Sequence, residues 1–272
     1  MEDVKGKTAL ITGGAGGIGR GMALAFARAG ISVVMLDIEK EGMRNVAEEV
    51  RALGVEAIEE IVDLANASAV EACAASVRQR IGQPDILCAN AGVMVRKNLL
   101  DSKSDDWQWL FGVNVFGLVN TLRAFLPGMI EGGGERHVMI TASMAALRGS
   151  SVAGSTLYSS SKAAVMSIGE ALRRELPPNV ALTLLCPGGV ATGLWNAERY
   201  RPDQQGNASS PASEQRKQLG LGNDVMDPME VGRLTVAALR DKRPYIMTHP
   251  HQWRDVEPWH RGIENAFREA AR

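Results

Sequence analysis

The sequence predicts a single α/β domain built on a seven-stranded parallel sheet with helices on both faces. Short apolar segments rich in β-branched residues alternate with helical stretches along the whole chain. A glycine-rich turn joins the first strand to the first helix, and 272 residues with 45% hydrophobic content can bury one large core. Ligands of such doubly wound sheets bind outside the carboxyl ends of the strands, so a functional site is expected there.

Seven segments have the compact apolar pattern of buried strands, and the stretches between them are helical. The predicted strands are 8–12, 32–36, 55–62, 85–89, 137–141, 181–186 and 245–248. The predicted helices are 22–28, 39–53, 67–81, 107–130, 158–175, 228–240 and a short C-terminal helix at 259–271.

The formal net charge of −1 and the lack of a basic tract argue against nucleic acid or an anionic membrane surface as a partner. The first residues do not form a signal peptide, and no apolar run approaches membrane-spanning length, so a cytoplasmic protein is expected. The three cysteines (Cys73, Cys88 and Cys186) are predicted to be reduced core thiols. His249 and His251 are predicted to be surface side chains, and no metal site is expected.

The glycine-rich turn lies between a predicted strand and a predicted helix, which is the setting of a dinucleotide-binding turn. Glycines let the backbone approach a pyrophosphate, which then rests on the N-terminus of the helix. One reading of the pattern, G-x-G-x-x-G, uses Gly14, Gly16 and Gly19. A second, T-G-x-x-x-G-x-G, uses Gly13, Gly17 and Gly19, and the local pattern alone does not choose between them.

Asp37 ends the second predicted strand, eighteen positions after Gly19. A carboxylate there can accept hydrogen bonds from both hydroxyls of an adenosine ribose, and it would repel a 2′-phosphate. Ile38 follows it where an arginine could have bound that phosphate. The position therefore predicts NAD rather than NADP, the alternative being a helix cap for residues 39–53.

Tyr158 and Lys162 lie four residues apart in a predicted helix, so their functional ends can converge on one face. A free tyrosine has a pKa near ~10, and a shift to about 7 requires roughly 4 kcal/mol. A nearby ammonium and a cationic nicotinamide ring can supply this by stabilising the phenolate. The pair, with Ser143 upstream, predicts proton exchange with an alcohol or ketone; the alternative is a solvated helix face.

Together these features closely resemble the short-chain dehydrogenase/reductase family over residues 6–248. The matching motifs, in chain order, are Thr12-Gly-x-x-x-Gly-Ile-Gly19, Asp63-Leu64, Asn90-Ala-Gly92, Asn114 in Asn-Val-x-Gly, Ser143, Tyr158-x-x-x-Lys162 and Pro187-Gly-x-Val-x-Thr192. The resemblance implies a Rossmann fold, and it selects the glycine reading with Gly13, Gly17, Ile18 and Gly19.

The resemblance also implies catalytic roles. Tyr158 is the general acid/base, Ser143 hydrogen-bonds the substrate oxygen, and Lys162 lowers the tyrosine pKa and holds the nicotinamide ribose. Asn114 anchors a water that links the lysine to bulk solvent. Taken alone, Asn114 could merely interrupt a helix and Ser143 could cap a strand end.

Further residues are implied to hold NAD. Asp63 and Leu64 border the adenine, and Asn90 borders the adenosine side of the crevice. Val190 and Thr192 meet the nicotinamide carboxamide and so select the ring face that delivers the hydride. Asp63 taken alone is more often a helix cap.

The chain departs from the family pattern in the spacing of Ser143 and Tyr158 and in its C-terminal extension, and it also contains one unusually long irregular tract. Ser143 and Tyr158 are two positions further apart than usual, and the extra length at 148–156 is expected to reshape the substrate cleft. Residues 193–224 form a tract too long for a routine connection, which predicts a substrate lid. The C-terminal extension, 249–272, is of the kind that packs on a neighbouring subunit in this family, so a homodimer or homotetramer is expected.

Fold and motif give a reaction class, and the substrate must be inferred from the pocket. Apolar side chains there (Met94, Leu147, Leu194, Trp195 and Tyr200) predict a hydrophobic small-molecule substrate. Arg199 either recognises a carboxylate or is solvated. Residues 197–202 and 245–246 resemble bacterial dehydrogenases that oxidise benzylic alcohols in lignin-derived aryl ethers.

The sequence therefore predicts an NAD-dependent oxidoreductase acting on a hydrophobic, aryl-bearing secondary alcohol or its ketone. The alternatives are a carbonyl reductase acting on a cyclic or steroid-like ketone and a non-catalytic NAD-sensing protein.

Overall fold

A computed structural model of the chain describes residues 1, 3–147, 153–202 and 224–271. In this part of the chain seven parallel strands form one sheet in the order β3-β2-β1-β4-β5-β6-β7, which confirms the predicted fold class. The strands are β1 (Thr8–Thr12), β2 (Ser32–Asp37), β3 (Ala57–Ile61), β4 (Ile86–Ala89), β5 (Arg136–Thr141), β6 (Val180–Cys186) and β7 (Tyr245–Met247).

Eight α-helices of the described residues cover the sheet. They are α1 (Gly17–Arg28), α2 (Lys40–Ala52), α3 (Ala67–Ile81), α4 (Ser104–Phe111), α5 (Gly117–Glu131), α6 (Thr156–Glu175), α7 (Pro228–Asp241) and α8 (Trp253–Ala270). The last helix begins six residues earlier than the sequence predicts. The predicted helix at 107–130 is instead α4 and α5 joined by a π-helical turn, Gly112–Phe116.

Successive residues of the inner strands point to opposite faces of the sheet, as a strand requires. In β1, Leu10 packs with α3, α5 and α6 on one face. Its neighbours Ala9 and Ile11 pack with α1, α2 and α7 on the other face. Both faces are thus covered, so these parallel strands are apolar on both sides rather than alternating.

The strand order changes direction between β1 and β4, because the chain continues outward to β2 and β3 on one side and to β5, β6 and β7 on the other. At such a switch point the connections leave in opposite directions and open a crevice outside the strand ends. The crevice lies next to the glycine-rich turn, which follows β1 directly.

The expectation that no apolar run approaches membrane-spanning length is wrong. Residues Ser104–Glu131 are long and apolar enough, by length and composition alone, to cross a membrane, with a mean hydropathy of 1.3 over the best window. Half of that window is buried inside the protein. Leu118, Leu122 and Phe125 of α5 belong to the cluster against the sheet, so the apolar character is that of a core helix.

The prediction that His249 is a surface side chain is also wrong, since only 3% of it is exposed. Its ring lies against Gly188, where a Cβ atom would approach Nδ1 to 2.6 Å, and the same nitrogen hydrogen-bonds Thr248. The missing side chain at Gly188 creates the space. His251 is exposed, as predicted, and its Nε2 contacts Asp224 at 2.8 Å.

Candidate functional site

A cavity of about 490 Å³ lies at the carboxyl ends of the strands, where the fold predicts a ligand. It extends from the glycine-rich turn and the end of β2 to the N-terminal part of α6. Of the site residues predicted from the sequence, those that line it are Gly13, Gly17, Ile18, Asp37, Asp63, Leu64, Asn90, Ser143, Tyr158, Lys162, Val190 and Thr192. The other two, Gly19 and Asn114, lie behind its wall.

The backbone of the turn requires the second glycine reading. Gly13 and Gly17 have φ of +71° and +51°, a region that favours glycine. A Cβ atom on Gly19 would lie 1.9 Å from the carbonyl oxygen of Gly13, so the turn closes only with glycine there. A Cβ atom on Gly16 would meet nothing within 4 Å, so this position does not require glycine for space.

Asn90 ties together three strand ends beneath the cavity. Its backbone N–H donates to Thr12 Oγ1 at 2.9 Å, and its Nδ2 donates to the Thr12 carbonyl at 3.1 Å. Thr141 Oγ1 at the end of β5 donates to Asn90 Oδ1 at 3.1 Å. The side chain thus fixes β1, β4 and β5 relative to one another while it also lines the cavity wall.

Asp37 lies at the end of β2 with both carboxylate oxygens engaged by backbone. Oδ2 accepts from the N–H of Ala15 at 3.0 Å, and Oδ1 accepts from the N–H of Glu39 at 3.1 Å. Burial raises the pKa of this carboxyl, and these backbone bonds oppose the rise. The cap of α2 is Glu39, which accepts from Gly42, so Asp37 is not the helix cap of the alternative interpretation.

The remaining cofactor candidates line the cavity beside β3 and β6. Asp63 accepts from the N–H of Ala65 at 2.9 Å, and it is Asn66 that caps α3. Thr192 contacts the first turn of α1, because a Cβ atom on Gly17 would lie 3.0 Å from Thr192 Cβ. The segment after β6 is thereby held over the N-terminal end of α1.

Tyr158 and Lys162 project from the first turns of α6, and both are buried. Lys162 is 3% exposed, and its Nζ donates to the carbonyl oxygen of Thr141 at 2.9 Å. Burial lowers the pKa of this lysine to about 8. Burial also raises the pKa of Tyr158 to about 12, while a hydrogen bond with Ser143 opposes the rise. The protein alone therefore does not lower the tyrosine pKa as the sequence predicts, because desolvation of the phenolate dominates.

Asn114 lies in the π-helical turn between α4 and α5, where it is 2% exposed. Its Oδ1 accepts from the N–H of Val93 at 2.8 Å, and its Nδ2 donates to the Val93 carbonyl at 3.0 Å and to Ser161 Oγ at 2.9 Å. Ser161 Oγ in turn donates to the carbonyl of Tyr158 at 2.8 Å. Asn114 thus connects the loop after β4 to the helix that carries Tyr158.

Gly92 lies against both the side-chain amide of Asn114 and the ammonium of Lys162. A Cβ atom at this position would lie 3.2 Å from Asn114 Oδ1 and 3.2 Å from Lys162 Nζ. Sequence reasoning missed Ser161 and Thr141 as members of this network. Ser161 lies within the Tyr-Ser-Ser-Ser-Lys run that the sequence singles out, whereas no local signal identifies a backbone carbonyl such as that of Thr141.

The wall beside Tyr158 is apolar. Tyr158 packs in one cluster with Met94, Trp109 and Leu194. All of these line the cavity, as do Trp195 and Tyr200, whereas Leu147 packs into the core and does not line it. Sequence reasoning missed Trp109, because a tryptophan within a predicted helix is more often part of the core.

Two arginines bring positive charge to the cavity wall. Arg96 donates to the carbonyl of Ala153 at 3.0 Å, and burial lowers its pKa. Arg199 lies in a short 3₁₀-helical segment, Gly193–Tyr200, at the start of the predicted lid. Residues 203–223 of that lid, and residues 148–152 of the extended loop, lie outside the described residues.

These features fit a dinucleotide. Glycines form the turn beside the N-terminus of α1, a carboxylate stands at the end of β2, and one cavity of about 490 Å³ is lined by both and by Tyr158 and Lys162. In the ranges that the structure describes, no three His, Cys, Asp or Glu side chains lie close enough together to hold a metal ion.

Comparisons with known proteins find members of one family over most of the chain. The profile of the family described as short chain dehydrogenase matches residues 7–203. Oxidoreductase UcpA of Salmonella typhimurium is 34% identical over 251 residues, which cover 90% of this chain and 92% of the relative. C alpha-dehydrogenase of Sphingobium sp. is 28% identical over 254 residues, which cover 92% of this chain and 83% of the relative.

A solved structure of a short chain dehydrogenase/reductase from Burkholderia phymatum in complex with NAD matches with a TM-score of 0.88 at 33% identity, covering 98% of this chain and 97% of that one. Another similar solved structure holds NADPH. The matches confirm the predicted family resemblance, and C alpha-dehydrogenase supports the further similarity to aryl-ether alcohol dehydrogenases.

The buried ammonium of Lys162 predicts a specific pH dependence of stability. Its pKa is about 8 in the folded protein, against 10.5 for a lysine side chain in water, so between these values the unfolded chain binds more protons. The free energy of unfolding of the wild type, minus that of Lys162→Met, should rise by about 3 kcal/mol from pH 8 to pH 10.5.

Urea titrations at several pH values measure this difference. Lys103→Met, at an exposed position, is the control for the same chemical change. A flat difference for Lys162→Met would mean that the ammonium is well solvated.

Proposed function

Because the chain belongs to the short-chain dehydrogenase family, we propose that it is an NAD-dependent oxidoreductase that transfers a hydride between nicotinamide and a hydrophobic, aryl-bearing secondary alcohol or its ketone. The observation that carries the proposal is the placement of Tyr158, which is hydrogen-bonded to Ser143 and four residues before Lys162 on α6, at an apolar wall of the cavity that the glycine-rich turn also lines.

Tyr158 acts as the general acid/base. The nicotinamide supplies the hydride chemistry when it is bound. In the oxidation direction Tyr158 takes the hydroxyl proton of the substrate, while Ser143 hydrogen-bonds the same oxygen and holds it in place. In the reduction direction Tyr158 returns the proton. This requires a tyrosine pKa well below 12, so the cation of Lys162 and the positive charge of the oxidised ring must act together on the phenolate.

Lys162 is also proposed to bind the nicotinamide ribose. Its Nζ uses one donor on the Thr141 carbonyl and retains two for ribose and phenolate oxygens. Asn114 positions the water that passes the proton on toward solvent. Ser161 keeps Asn114 at a fixed place relative to α6, because its hydroxyl bonds both the amide of Asn114 and the carbonyl of Tyr158.

The carboxylate of Asp37 supports NAD over NADP. It stands at the end of β2 on the cavity wall, where the ribose hydroxyls of an adenosine would reach it. Ile38 follows, and it offers a 2′-phosphate no hydrogen bond. Asp63, Leu64 and Asn90 border the adenosine half in this arrangement. Val190 and Thr192 border the nicotinamide half.

The apolar wall supports an aryl-bearing substrate. Met94, Trp109 and Leu194 surround Tyr158 with aromatic and flexible apolar surface, which suits a planar ring. The similarity to C alpha-dehydrogenase points in the same direction. The described start of the predicted lid, 193–202, contributes Leu194 to this wall and Trp195 to the cavity lining.

Members of this family are typically oligomeric, and we propose a homodimer or homotetramer. Trp259, Ile263 and Phe267 recur every four residues along α8 and are 46%, 42% and 76% exposed, so one side of the helix offers apolar surface to another subunit. The three buried free cysteines suit the reducing cytoplasm, which is the proposed compartment.

The proposed role of Tyr158 predicts the behaviour of Tyr158→Phe. Removal of the hydroxyl should reduce kcat on a responsive secondary alcohol by at least about 10³-fold, because no other group at that position exchanges the proton. NADH affinity should change little. Turnover is measured by NADH absorbance with a panel of aryl and alicyclic alcohols, and binding by NADH fluorescence.

Tyr245→Phe, at an exposed tyrosine, is the control for that experiment. Undiminished turnover by Tyr158→Phe would contradict the mechanism. NADH binding with no turnover across the panel would favour a non-catalytic NAD-sensing protein. Turnover confined to alicyclic alcohols would contradict the proposal that the substrate bears an aryl group.

The proposed role of Asp37 predicts cofactor preference. The wild type should bind NADH at least about 10-fold more tightly than NADPH, because like charges repel and the ribose hydroxyls lose their acceptor. Asp37→Ser combined with Ile38→Arg should reverse the order. Fluorescence titrations with both cofactors test this, and tighter binding of NADPH by the wild type would contradict the assignment.

A further inference from the structure

Seven of the ten residues 193–202, here called the cover segment, line the cavity. Directly before its start, Thr192 lies against Gly17 in the first turn of α1. At the other end Tyr200 and Pro202 line the cavity together with Asp37 and Glu39 at the end of β2. The segment therefore spans the distance from the phosphate-binding turn to the adenosine ribose position.

Arg199 is held in this segment by its own chain. Its Nη1 donates to the carbonyls of Gly193 at 3.0 Å and Asn196 at 2.6 Å, and its Nη2 donates to Tyr200 Oη at 2.7 Å. Its guanidinium carbon lies 4.1 Å from the centre of the Tyr200 ring. The arginine is thus not the solvated loop residue that the sequence left as an alternative, because its conformation is fixed on the cavity wall.

The guanidinium is linked to the glycine-rich turn through Thr192 and Gly193. Thr192 touches Gly17, and a Cβ atom on the adjoining Gly193 would lie 2.9 Å from Arg199 Nη2. Among the described residues no carboxylate oxygen lies within 4.0 Å of Arg199. A cation that is fixed by its own segment, that has no carboxylate partner in the described part of the chain and that lies near the glycine-rich turn suits a pyrophosphate.

Tyr200 stands at the adenosine end. Burial raises the pKa of its phenol, and Arg199 opposes this rise. The carboxylates of Asp37 and Glu39 also raise the pKa, so the phenol lies close enough to these two carboxylates to be affected by their charges. An aromatic ring in that position offers a flat apolar surface beside the ribose that Asp37 would bind.

The cover segment is fixed at its end by a buried ion pair. Arg201 donates from Nη1 to Asp106 Oδ1, and the two side chains are 6% and 1% exposed. Asp106 also accepts from Lys97 Nζ at 2.9 Å on each oxygen. These contacts hold the pKa of Asp106 far below its ordinary value despite burial. The charge is therefore present at every physiological pH, and the segment is attached to α4.

We propose that the cover segment is a clamp on the dinucleotide, in which Arg199 binds the pyrophosphate, Tyr200 contacts the adenosine ribose, and the Arg201–Asp106 pair positions both. This rests on the proposed binding of a dinucleotide by this chain. It assigns Arg199 to the cofactor rather than to a carboxylate of the substrate.

The test compares ligands that differ in phosphate content. Arg199→Gln should weaken NADH and ADP-ribose about 10-fold each, because both carry the pyrophosphate, and it should leave adenosine unchanged. Arg199→Lys should recover part of the loss. Fluorescence titration measures NADH, and competition against it measures ADP-ribose and adenosine. Arg28→Gln, exposed at the opposite end of α1, makes the same charge change and should have no effect.

The positioning role of Arg201 has its own readout. In Arg201→Met the buried Asp106 keeps its contacts with Lys97, so the fold should persist, as circular dichroism and thermal unfolding will show. NADH should bind several-fold more weakly. Arg201 acts through Arg199 in this proposal. The double variant Arg199→Gln/Arg201→Met should therefore bind NADH at most about twofold more weakly than Arg199→Gln alone.

The outcomes separate the inference from the proposed function. Wild-type NADH affinity retained by Arg199→Gln overturns the clamp and leaves the oxidoreductase standing. A loss confined to KM for carboxylate-bearing alcohols also overturns it, and assigns Arg199 to the substrate. A wild type that binds no dinucleotide overturns both.

Discussion

The site depends on keeping one ammonium group, that of Lys162, out of water at the ends of the parallel strands. The folded protein offers it a single protein acceptor among the hydrogen bonds described, the Thr141 carbonyl, and burial lowers its pKa to about 8. No carboxylate of the described chain lies within ion-pair distance of it. In the proposed mechanism its charge is therefore available to the phenol of Tyr158 and to a ligand, which a salt bridge would prevent.

Several features of the surroundings follow from that constraint. Gly92 has no side chain because one would meet both the ammonium and the amide of Asn114. The π-helical turn lets Asn114 reach the loop after β4 and α6 at once, through Val93 and Ser161. π-turns inserted in helices are often found at functional sites, and here the turn places a side chain that a regular helix would direct elsewhere.

Much of the fold and site is predictable because it follows local rules. Strand and helix patterns give the alternating order, and Tyr158 and Lys162 share a helix face by spacing. The glycine-rich sequence between strand and helix marks a dinucleotide turn, although its local pattern does not choose between two sets of glycines. What could not be predicted depends on distant contacts. The bond from Lys162 to Thr141, the anchoring of Arg199 and the burial of His249 each join side chains to a partner or a space that the chain's folding creates. The raised pKa of Tyr158 likewise depends on packing that no sequence pattern encodes.

The central claim is that Tyr158 becomes a proton acceptor only when its phenolate is stabilised by two positive charges, one from Lys162 and one from the bound oxidised nicotinamide. Difference absorbance of tyrosinate between the wild type and Tyr158→Phe isolates this one phenol among the three tyrosines. Without cofactor the pKa of Tyr158 should be about 12. With saturating NAD⁺ it should fall by several units, and with NADH, whose ring is neutral, the fall should be much smaller. The same pKa with and without NAD⁺ would contradict the account.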